Sequence, residues 1–195
     1  MINFRKVKVC FLLIFVFINF FYISPCHSLS SREDLFKNAL DLSSGGEFNL
    51  ALKEWNRYLD FYPDDAAGLS NRGNVRLVIG DLEGSIDDQN KAISLNPSEI
   101  DPYINRGIAE EALGLWSQAK KDYMLVLEKD SSNFSALYNL ANVEGSLSNW
   151  EKARDLFSQA ANYNPGFAMA RSSMALADNQ LGNIDESEKE LKNLI

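Results

Sequence analysis

Cysteine and histidine, which supply most thiol nucleophiles, general bases and zinc ligands in proteins, are nearly absent from this chain. Its 195 residues include 2 cysteines and 1 histidine. All of them lie near the N-terminus, at Cys10, Cys26 and His27. If that segment is removed, the remaining chain has no thiol nucleophile, no histidine base, no disulfide and no zinc site built on sulfur or imidazole.

Other catalytic and nucleic-acid-binding features are also missing. The Gly45-Gly46 pair fits a turn between helices better than a phosphate-binding loop. The formal net charge of −8 disfavours binding to nucleic acid phosphates and anionic headgroups. The adjacent carboxylates Asp87-Asp88 and Glu110-Glu111 would point to different helix faces, so neither pair could flank a scissile bond. We expect no enzyme activity, no cofactor, no bound metal and no nucleic acid partner.

Residues 1–28 have the three-part layout of an export signal. A basic start precedes a nearly unbroken apolar run over residues 9–23, and small polar residues follow. This order is typical of a secretory signal peptide, and the run is shorter than the roughly 20 residues of a spanning helix. Cleavage after Ser28 or Ser30 and retention of residues 9–23 as a membrane anchor both stay open. Either predicts an extracytoplasmic location, such as the periplasm or the thylakoid lumen.

The rest of the chain, residues 32–195, repeats itself every 34 positions. Asn71-Arg72-Gly73 returns as Asn105-Arg106-Gly107. Positions separated by this interval form columns of one residue type. One column holds only small residues: Ala39, Gly73, Gly107, Ala141 and Ala175. A bulky column contains Trp55, Gln89, Tyr123, Phe157 and Leu191. A fixed period of this length indicates stacked copies of one supersecondary unit.

Each period reads as two helices joined by a turn. Glycine stands at the centre of most periods, at Gly46, Gly80, Gly114 and Gly182, and predicts a helix end there. Proline ends most periods, at Pro63, Pro97 and Pro165. N-cap candidates for the following helix are Asp64, Asp65, Ser98, Ser131 and Ser132.

This pattern resembles the tetratricopeptide repeat, a helix–turn–helix unit of 34 residues. The resemblance is carried by small-residue pairs such as Gly107 with Ala119, by the aromatics Tyr123 and Phe157, and by the prolines. It implies an all-α fold, a right-handed superhelical solenoid of four full repeats and a shortened fifth. The repeats are expected at about 32–65, 66–99, 100–133, 134–167 and 168–195. The chain departs from the family late in the first helices, where Leu42, Arg76, Glu110, Glu144 and Asp178 replace an aromatic residue.

The resemblance also implies a concave groove, lined by the first helices, that holds a partner polypeptide. The predicted groove residues are Asn71, Asn74, Asn105, Ile108, Tyr138, Asn139, Asn142 and Ser173. A carboxamide donates and accepts hydrogen bonds, so a column of asparagines suits an extended peptide backbone. A solvated helix face is the alternative interpretation of the same column. For Arg72 and Arg106 we expect contacts that brace the adjacent helix rather than binding of an anion.

Two predictions concern the aromatic and acidic residues of the array. We expect Trp55, Trp116 and Trp150 to lie in the core, and Tyr138 to be an exposed aromatic anchor for a partner. Asp101, Glu110 and Glu111 give the middle of the array a negative character, which favours a neutral or basic ligand. A solvated acidic face is the simpler interpretation of those three residues.

The C-terminal helix ends on apolar residues, Leu191, Leu194 and Ile195. Repeat arrays normally end in a helix with a polar outer face. We therefore expect this helix to fray or to associate with another copy or a partner.

Taken together, these features predict an exported interaction module that acts as an adaptor or assembly factor for a membrane-associated complex. The alternative is a self-associating structural scaffold at the envelope or membrane surface without a peptide ligand. Loss of partner binding after substitution of groove asparagines would favour the first.

Overall fold

The structure is a computed structural model that describes residues 31–192. Nearly all of this segment belongs to one compact unit, Asp34–Ile195. The predicted leader, with Cys10, Cys26 and His27, lies outside the described residues. So do Leu194 and Ile195 of the predicted association surface. Within residues 31–192 no helix has the length and apolar character needed to cross a bilayer.

The described residues form helices without any β-strand. The helices are α1 (Arg32–Ser44), α2 (Phe48–Phe61), α3 (Ala66–Ile79), α4 (Leu82–Leu95), α5 (Asp101–Ala112), α6 (Trp116–Lys129), α7 (Phe134–Ser146), α8 (Trp150–Tyr163), α9 (Ala168–Gln180) and α10 (Ile184–Lys192). From α2 to α10 each helix packs on the next, and α5 also contacts both α3 and α7. The prediction of an all-α solenoid of helix–turn–helix repeats is confirmed.

Left-handed residues end the first helix of each pair. The central glycines have φ values from 73° to 85°, at Gly46, Gly80, Gly114 and Gly182. Glycine adopts this conformation without a steric penalty, which is why it terminates helices so often. The fourth pair uses Ser148 instead, with φ 62°, and therefore carries some backbone strain.

The predicted N-caps are partly wrong. Asp65 caps α3 as expected, because its Oδ1 accepts a 2.7 Å hydrogen bond from the Gly68 amide. Ser98 does not cap α5, since that helix begins only at Asp101 and has no side-chain cap. The cap of α7 is Asn133 rather than Ser131 or Ser132, and its Oδ1 accepts from the Ala136 amide at 3.0 Å. The Ser132 hydroxyl instead donates to Asp130 at 2.7 Å.

The small-residue column marks the closest approach of the two helices in a pair. A Cβ atom built on Gly107 would lie 2.6 Å from Cε1 of Tyr123, and one on Gly73 would lie 2.5 Å from Nε2 of Gln89. Both partners belong to the bulky column and are fully buried. The helices of these two pairs can therefore approach closely only because glycine leaves room for a large side chain.

The core of the described residues divides into an N-terminal cluster, a larger C-terminal cluster and a small one around Tyr103, Val126 and Ala136. Trp55 is fully buried in the first, beside Tyr58 and Phe36. Trp116 and Trp150 are partly buried against the second. The prediction that the tryptophans belong to the core is therefore confirmed. Trp55 lies inside the core, and Trp116 and Trp150 lie at its margin.

Candidate partner-binding groove

The first helices of the second and third pairs, α3 and α5, border an open cavity of about 480 Å³. Three predicted groove residues, Asn71, Asn74 and Asn105, line it together. The other lining residues come from the same helices, from the end of α4 with its following loop, and from α7: Ala66, Ala67, Ser70, Ala92, Asn96, Glu99, Asp101, Pro102, Ile104 and Ser135. The 34-residue spacing brings Asn71 and Asn105 to neighbouring first helices, as expected for one column.

The asparagines of the cavity keep hydrogen-bonding capacity. The Asn71 amide nitrogen donates to the Ala67 carbonyl at 2.9 Å, which leaves its side-chain oxygen available as an acceptor. Asn74 is exposed, and Asn105 is partly exposed. Neither has a side-chain hydrogen bond to another described residue. A backbone N–H or C=O of an incoming chain can therefore pair with these carboxamides without breaking an internal hydrogen bond.

The remaining predicted groove residues continue along the same layer but lie outside this cavity. They are the partly exposed Ile108 of α5, Asn139 and Asn142 of α7 and Ser173 of α9. Asn139 and Asn142 form no side-chain hydrogen bond within the described segment.

The expectation that Tyr138 is an exposed anchor is wrong. Its ring is half-buried, 4.9 Å edge-on from Phe167 and 5.5 Å from Phe157 between ring centroids. Its hydroxyl lies 3.5 Å from Ser173 Oγ. The rings of Phe157 and Phe167 therefore cover part of the Tyr138 side chain. The sequence showed the column that holds Tyr138 but not the Phe167 ring beside it.

The two arginines of the repeated Asn-Arg-Gly segment brace helices, as expected. Arg106 donates from Nε and Nη2 to both carboxylate oxygens of Asp122 at 2.7 Å, and from Nη1 to Asn90 Oδ1 at 2.6 Å. Arg72 makes the same three contacts with its counterparts Asp88 and Asn56. Each arginine thus joins its own pair of helices to the preceding pair, and its guanidinium is not available for an anion.

The interpretation of Glu110 and Glu111 as a solvated acidic face is wrong. Glu110 is buried, and burial together with the nearby Asp122 carboxylate raises its pKa to about 7. Burial also raises the pKa of Glu111, which accepts a 3.1 Å hydrogen bond from the Tyr123 hydroxyl. Only Asp101 of the three acidic residues is exposed. The negative character of the groove therefore comes from residues near Asp101.

The described residues contain no candidate metal site. Within residues 31–192 no group of three or more histidine, cysteine or acidic side chains is arranged to hold a metal ion. The polar atoms around the cavity are instead carboxamides, hydroxyls and two carboxylates, which suit hydrogen bonding and charge pairing.

Comparison with known proteins identifies the repeat. A model of the tetratricopeptide repeat family matches residues 36–100 and 104–166, which is more than half of the chain. Human RNA polymerase II-associated protein 3 is 30% identical over 108 residues, covering 55% of this chain but 16% of that protein. The chain therefore corresponds to a small part of this relative.

Solved structures support the same fold. The crystal structure of MamA superposes with a TM-score of 0.71 at 22% identity, covering 80% of this chain and 91% of that one. A tetratricopeptide repeat protein from Parabacteroides merdae gives a TM-score of 0.70 at 25% identity, covering 84% of this chain and 65% of the other. Such repeats are protein–protein interaction modules and as a rule not catalysts. The chain belongs to the tetratricopeptide repeat family.

Proposed function

We propose that this protein is an adaptor or assembly factor that binds an extended segment of a partner protein along α3, α5 and α7. The observation that carries this proposal is the cavity between α3 and α5, where Asn71, Asn74 and Asn105 retain unused hydrogen-bonding groups. A peptide backbone presents one donor and one acceptor per residue, which a row of carboxamides can match. Each such bond adds about 0.5–1.5 kcal/mol, so several are needed for stable binding.

We further propose that the protein acts after export, on a membrane-associated complex. The support is the order of basic, apolar and small polar residues over positions 1–28. N-terminal sequencing of the protein from its native cells tests this. A mature N-terminus near residue 29 or 31, or an intact leader in the membrane fraction, is expected. An intact leader in the cytosolic fraction would contradict export.

Site-specific crosslinking tests groove binding. A photoreactive amino acid at Asn74, an exposed cavity residue, is expected to form an adduct with a partner in the native cells. The same probe at Asn162, exposed on the second helix α8, serves as the control. Asn71→Ala combined with Asn105→Ala should remove the adduct at position 74, because the carboxamides that hold the partner's backbone are lost. Equal crosslinking at both positions, or an adduct insensitive to the double substitution, would contradict groove binding.

A second candidate function, self-association into a scaffold, is favoured by exposed apolar side chains on α10. Leu191 is 46% exposed, whereas Phe157, its counterpart one repeat earlier, is 4% exposed. Ile184 is likewise 50% exposed. A second copy seated on this helix would bury both. Sedimentation of the wild-type chain and of Ile184→Ser with Leu191→Ser tests this: a concentration-dependent dimer lost in the variant supports the scaffold, and a monomer throughout rejects it.

A further inference from the structure

We propose that the cavity between α3 and α5 accepts a lysine or arginine side chain of the bound segment, so that the partner is selected for a basic residue at this point. This inference rests on the proposed groove function and adds its specificity. Three features of the cavity support it: its unpaired carboxylates, the apolar residues that line its walls and its position along the array.

Two carboxylates stand at the cavity without a cation. Glu99 and Asp101 both line it and are both exposed, and no lysine, arginine or histidine is among the lining residues. Glu99 accepts a single 3.3 Å hydrogen bond, from the Asn96 amide. Asp101 has no hydrogen-bond or ion-pair partner in the described part of the chain. Their charge is therefore left for a ligand to balance.

Two lysines near the C-terminal ends of the second helices, Lys91 of α4 and Lys129 of α6, are already engaged. Lys91 pairs with Asp64 at 2.9 Å and donates to the Pro63 carbonyl at 2.8 Å. Lys129 donates to the Pro97 carbonyl, and its ammonium lies 4.7 Å from the centroid of the Tyr103 ring. Both therefore bind loop carbonyls instead of reaching the cavity carboxylates.

The partial positive charges of the helix N-termini do not make the net charge at the cavity positive. The first turns of α3 and α5 line it, and each helix start carries roughly half a positive charge. Asp65 caps α3, however, and Asp101 lies in the first turn of α5. Full carboxylate charges at the same ends outweigh the partial charges of the helices, so an anionic ligand is disfavoured.

The walls match a long side chain with a charged tip. The apolar lining residues are Ala66, Ala67, Ala92, Pro102 and Ile104. Lysine and arginine bury their methylene stems along apolar surface and keep the charged group among polar partners. The volume of about 480 Å³ is within the roughly 300–1,000 Å³ of typical ligand sites, so the cavity holds a side chain and part of its backbone.

The acidic pair occurs at one place in the array. One repeat later, the residues equivalent to Glu99 and Asp101 are Asn133 and Ser135, and two repeats later they are Phe167 and Met169. One repeat earlier the second position is Ala67. The uncompensated charge is therefore specific to the α3–α5 cavity, whereas the asparagine column runs on into α7.

Peptide mixtures with one fixed residue test the proposal. Short fluorescent peptides of random sequence, with arginine, lysine, alanine or glutamate fixed at the centre, are titrated with the folded protein and followed by anisotropy. We expect the arginine and lysine mixtures to bind about five- to tenfold more tightly than the glutamate mixture. Glu99→Gln combined with Asp101→Asn should abolish this preference while the peptides still bind through the carboxamides. Added salt should weaken the preference in the wild type.

A matched control changes the same charge elsewhere. Glu83→Gln with Asp87→Asn removes one glutamate and one aspartate from exposed positions of α4 that do not line the cavity. It should retain the preference. Binding without preference for any fixed residue, or a preference lost equally in the control, would overturn the basic specificity and leave groove binding intact. Failure of every mixture to bind would overturn groove binding and the specificity with it.

Discussion

The second and third repeats each hold their two helices together with an ion pair, whereas the fourth uses apolar side chains at the same positions. Arg106, Asp122 and Asn90 form one polar contact around a buried carboxylate, repeated one unit earlier by Arg72, Asp88 and Asn56. One repeat later the equivalents are Leu140, Leu156 and Met124. The first two of these belong to the larger apolar core cluster. The same backbone arrangement is therefore supported by two kinds of side-chain chemistry.

The two Arg–Asp ion pairs lie in the part of the array that contains the cavity. Arg72 and Arg106 directly follow Asn71 and Asn105 in sequence, and their ion pairs hold α3 to α4 and α5 to α6. Each helix that borders the cavity is therefore fixed to the second helix of its own repeat. A buried bidentate pair fixes geometry more narrowly than apolar packing does, although it adds little net stability over well-packed apolar residues. We infer that these two ion pairs fix the positions of the helices that border the cavity.

The largest effect is expected from breaking one of these pairs. Arg106→Leu leaves the buried Asp122 without its partner and should lower the free energy of unfolding by about 3–5 kcal/mol. Arg106→Leu combined with Asp122→Leu copies the fourth repeat and should recover most of that loss. Urea unfolding of the three proteins measures both values. A double variant as unstable as the single variant would show that the leucine pair of the fourth repeat cannot replace the ion pair of the third.

A smaller effect is expected at the helix crossings. Gly107→Ala places a Cβ 2.6 Å from the Tyr123 ring and should cost about 1–3 kcal/mol through overpacking. The reverse change in the fourth repeat, Ala141→Gly, should cost about 1 kcal/mol through added backbone freedom. Thermal unfolding compares the two. A stabilising Gly107→Ala would contradict the proposed close crossing.

The pH dependence of stability should differ between two equivalent carboxyl groups, Glu110 and Glu144. Burial raises the pKa of Glu144, but hydrogen bonds from Lys120, Lys152 and Asn149 outweigh it and bring the value to about 2. One repeat earlier these partners are replaced by Ile86, Gln118 and Leu115. Glu110 therefore stays without a cation from those positions, and its pKa is about 7.

The sign of the effect is opposite for the two residues. The raised pKa of Glu110 adds stability below about pH 4.5 that is lost as the pH rises through about 7. The lowered pKa of Glu144 adds stability above about pH 4.5 that is lost as the pH falls toward about 2. Glu110→Gln should therefore raise the melting temperature at about pH 8 and leave it unchanged at about pH 4.5.

Glu144→Gln provides the mirror-image test. It should lower the melting temperature at neutral pH, with the difference shrinking as the pH falls toward about 2, since both proteins are then neutral at this position. Glu128→Gln, at an exposed position of α6, is the control and should have little effect at either pH. Equal shifts for Glu110→Gln at both pH values would contradict its assignment as the titrating group.

The smallest effect is expected in α10. Leu191→Ala removes a side chain that is nearly half exposed and should change the free energy of unfolding of the monomer by less than about 1 kcal/mol. Phe157→Ala at the equivalent buried position should cost about 3–5 kcal/mol. Comparable losses for the two variants, measured by urea unfolding at low protein concentration, would show that the last helix is as tightly packed as the others.

The sequence predicted the parts of the structure that repeat. Glycine at the turns, small residues at the crossings and asparagine on the first helices each recur at a fixed interval, so several copies support one inference. What it missed depends on neighbours that do not recur. The raised pKa of Glu110 depends on Ile86, Gln118 and Leu115, which replace the hydrogen-bond donors around Glu144. The partial burial of Tyr138 depends on Phe167. Nor did the spacing identify Glu99, because its equivalents Asp65, Asn133 and Phe167 share no residue type and so form no uniform column.

Backbone amide NMR during titration with the arginine-centred peptide mixture tests the groove most directly. We expect chemical shift changes concentrated on α3, α5 and the start of α7, around Asn71, Asn105 and Ser135. Changes confined to α4, α6 and α8, or none at saturating peptide, would contradict groove binding.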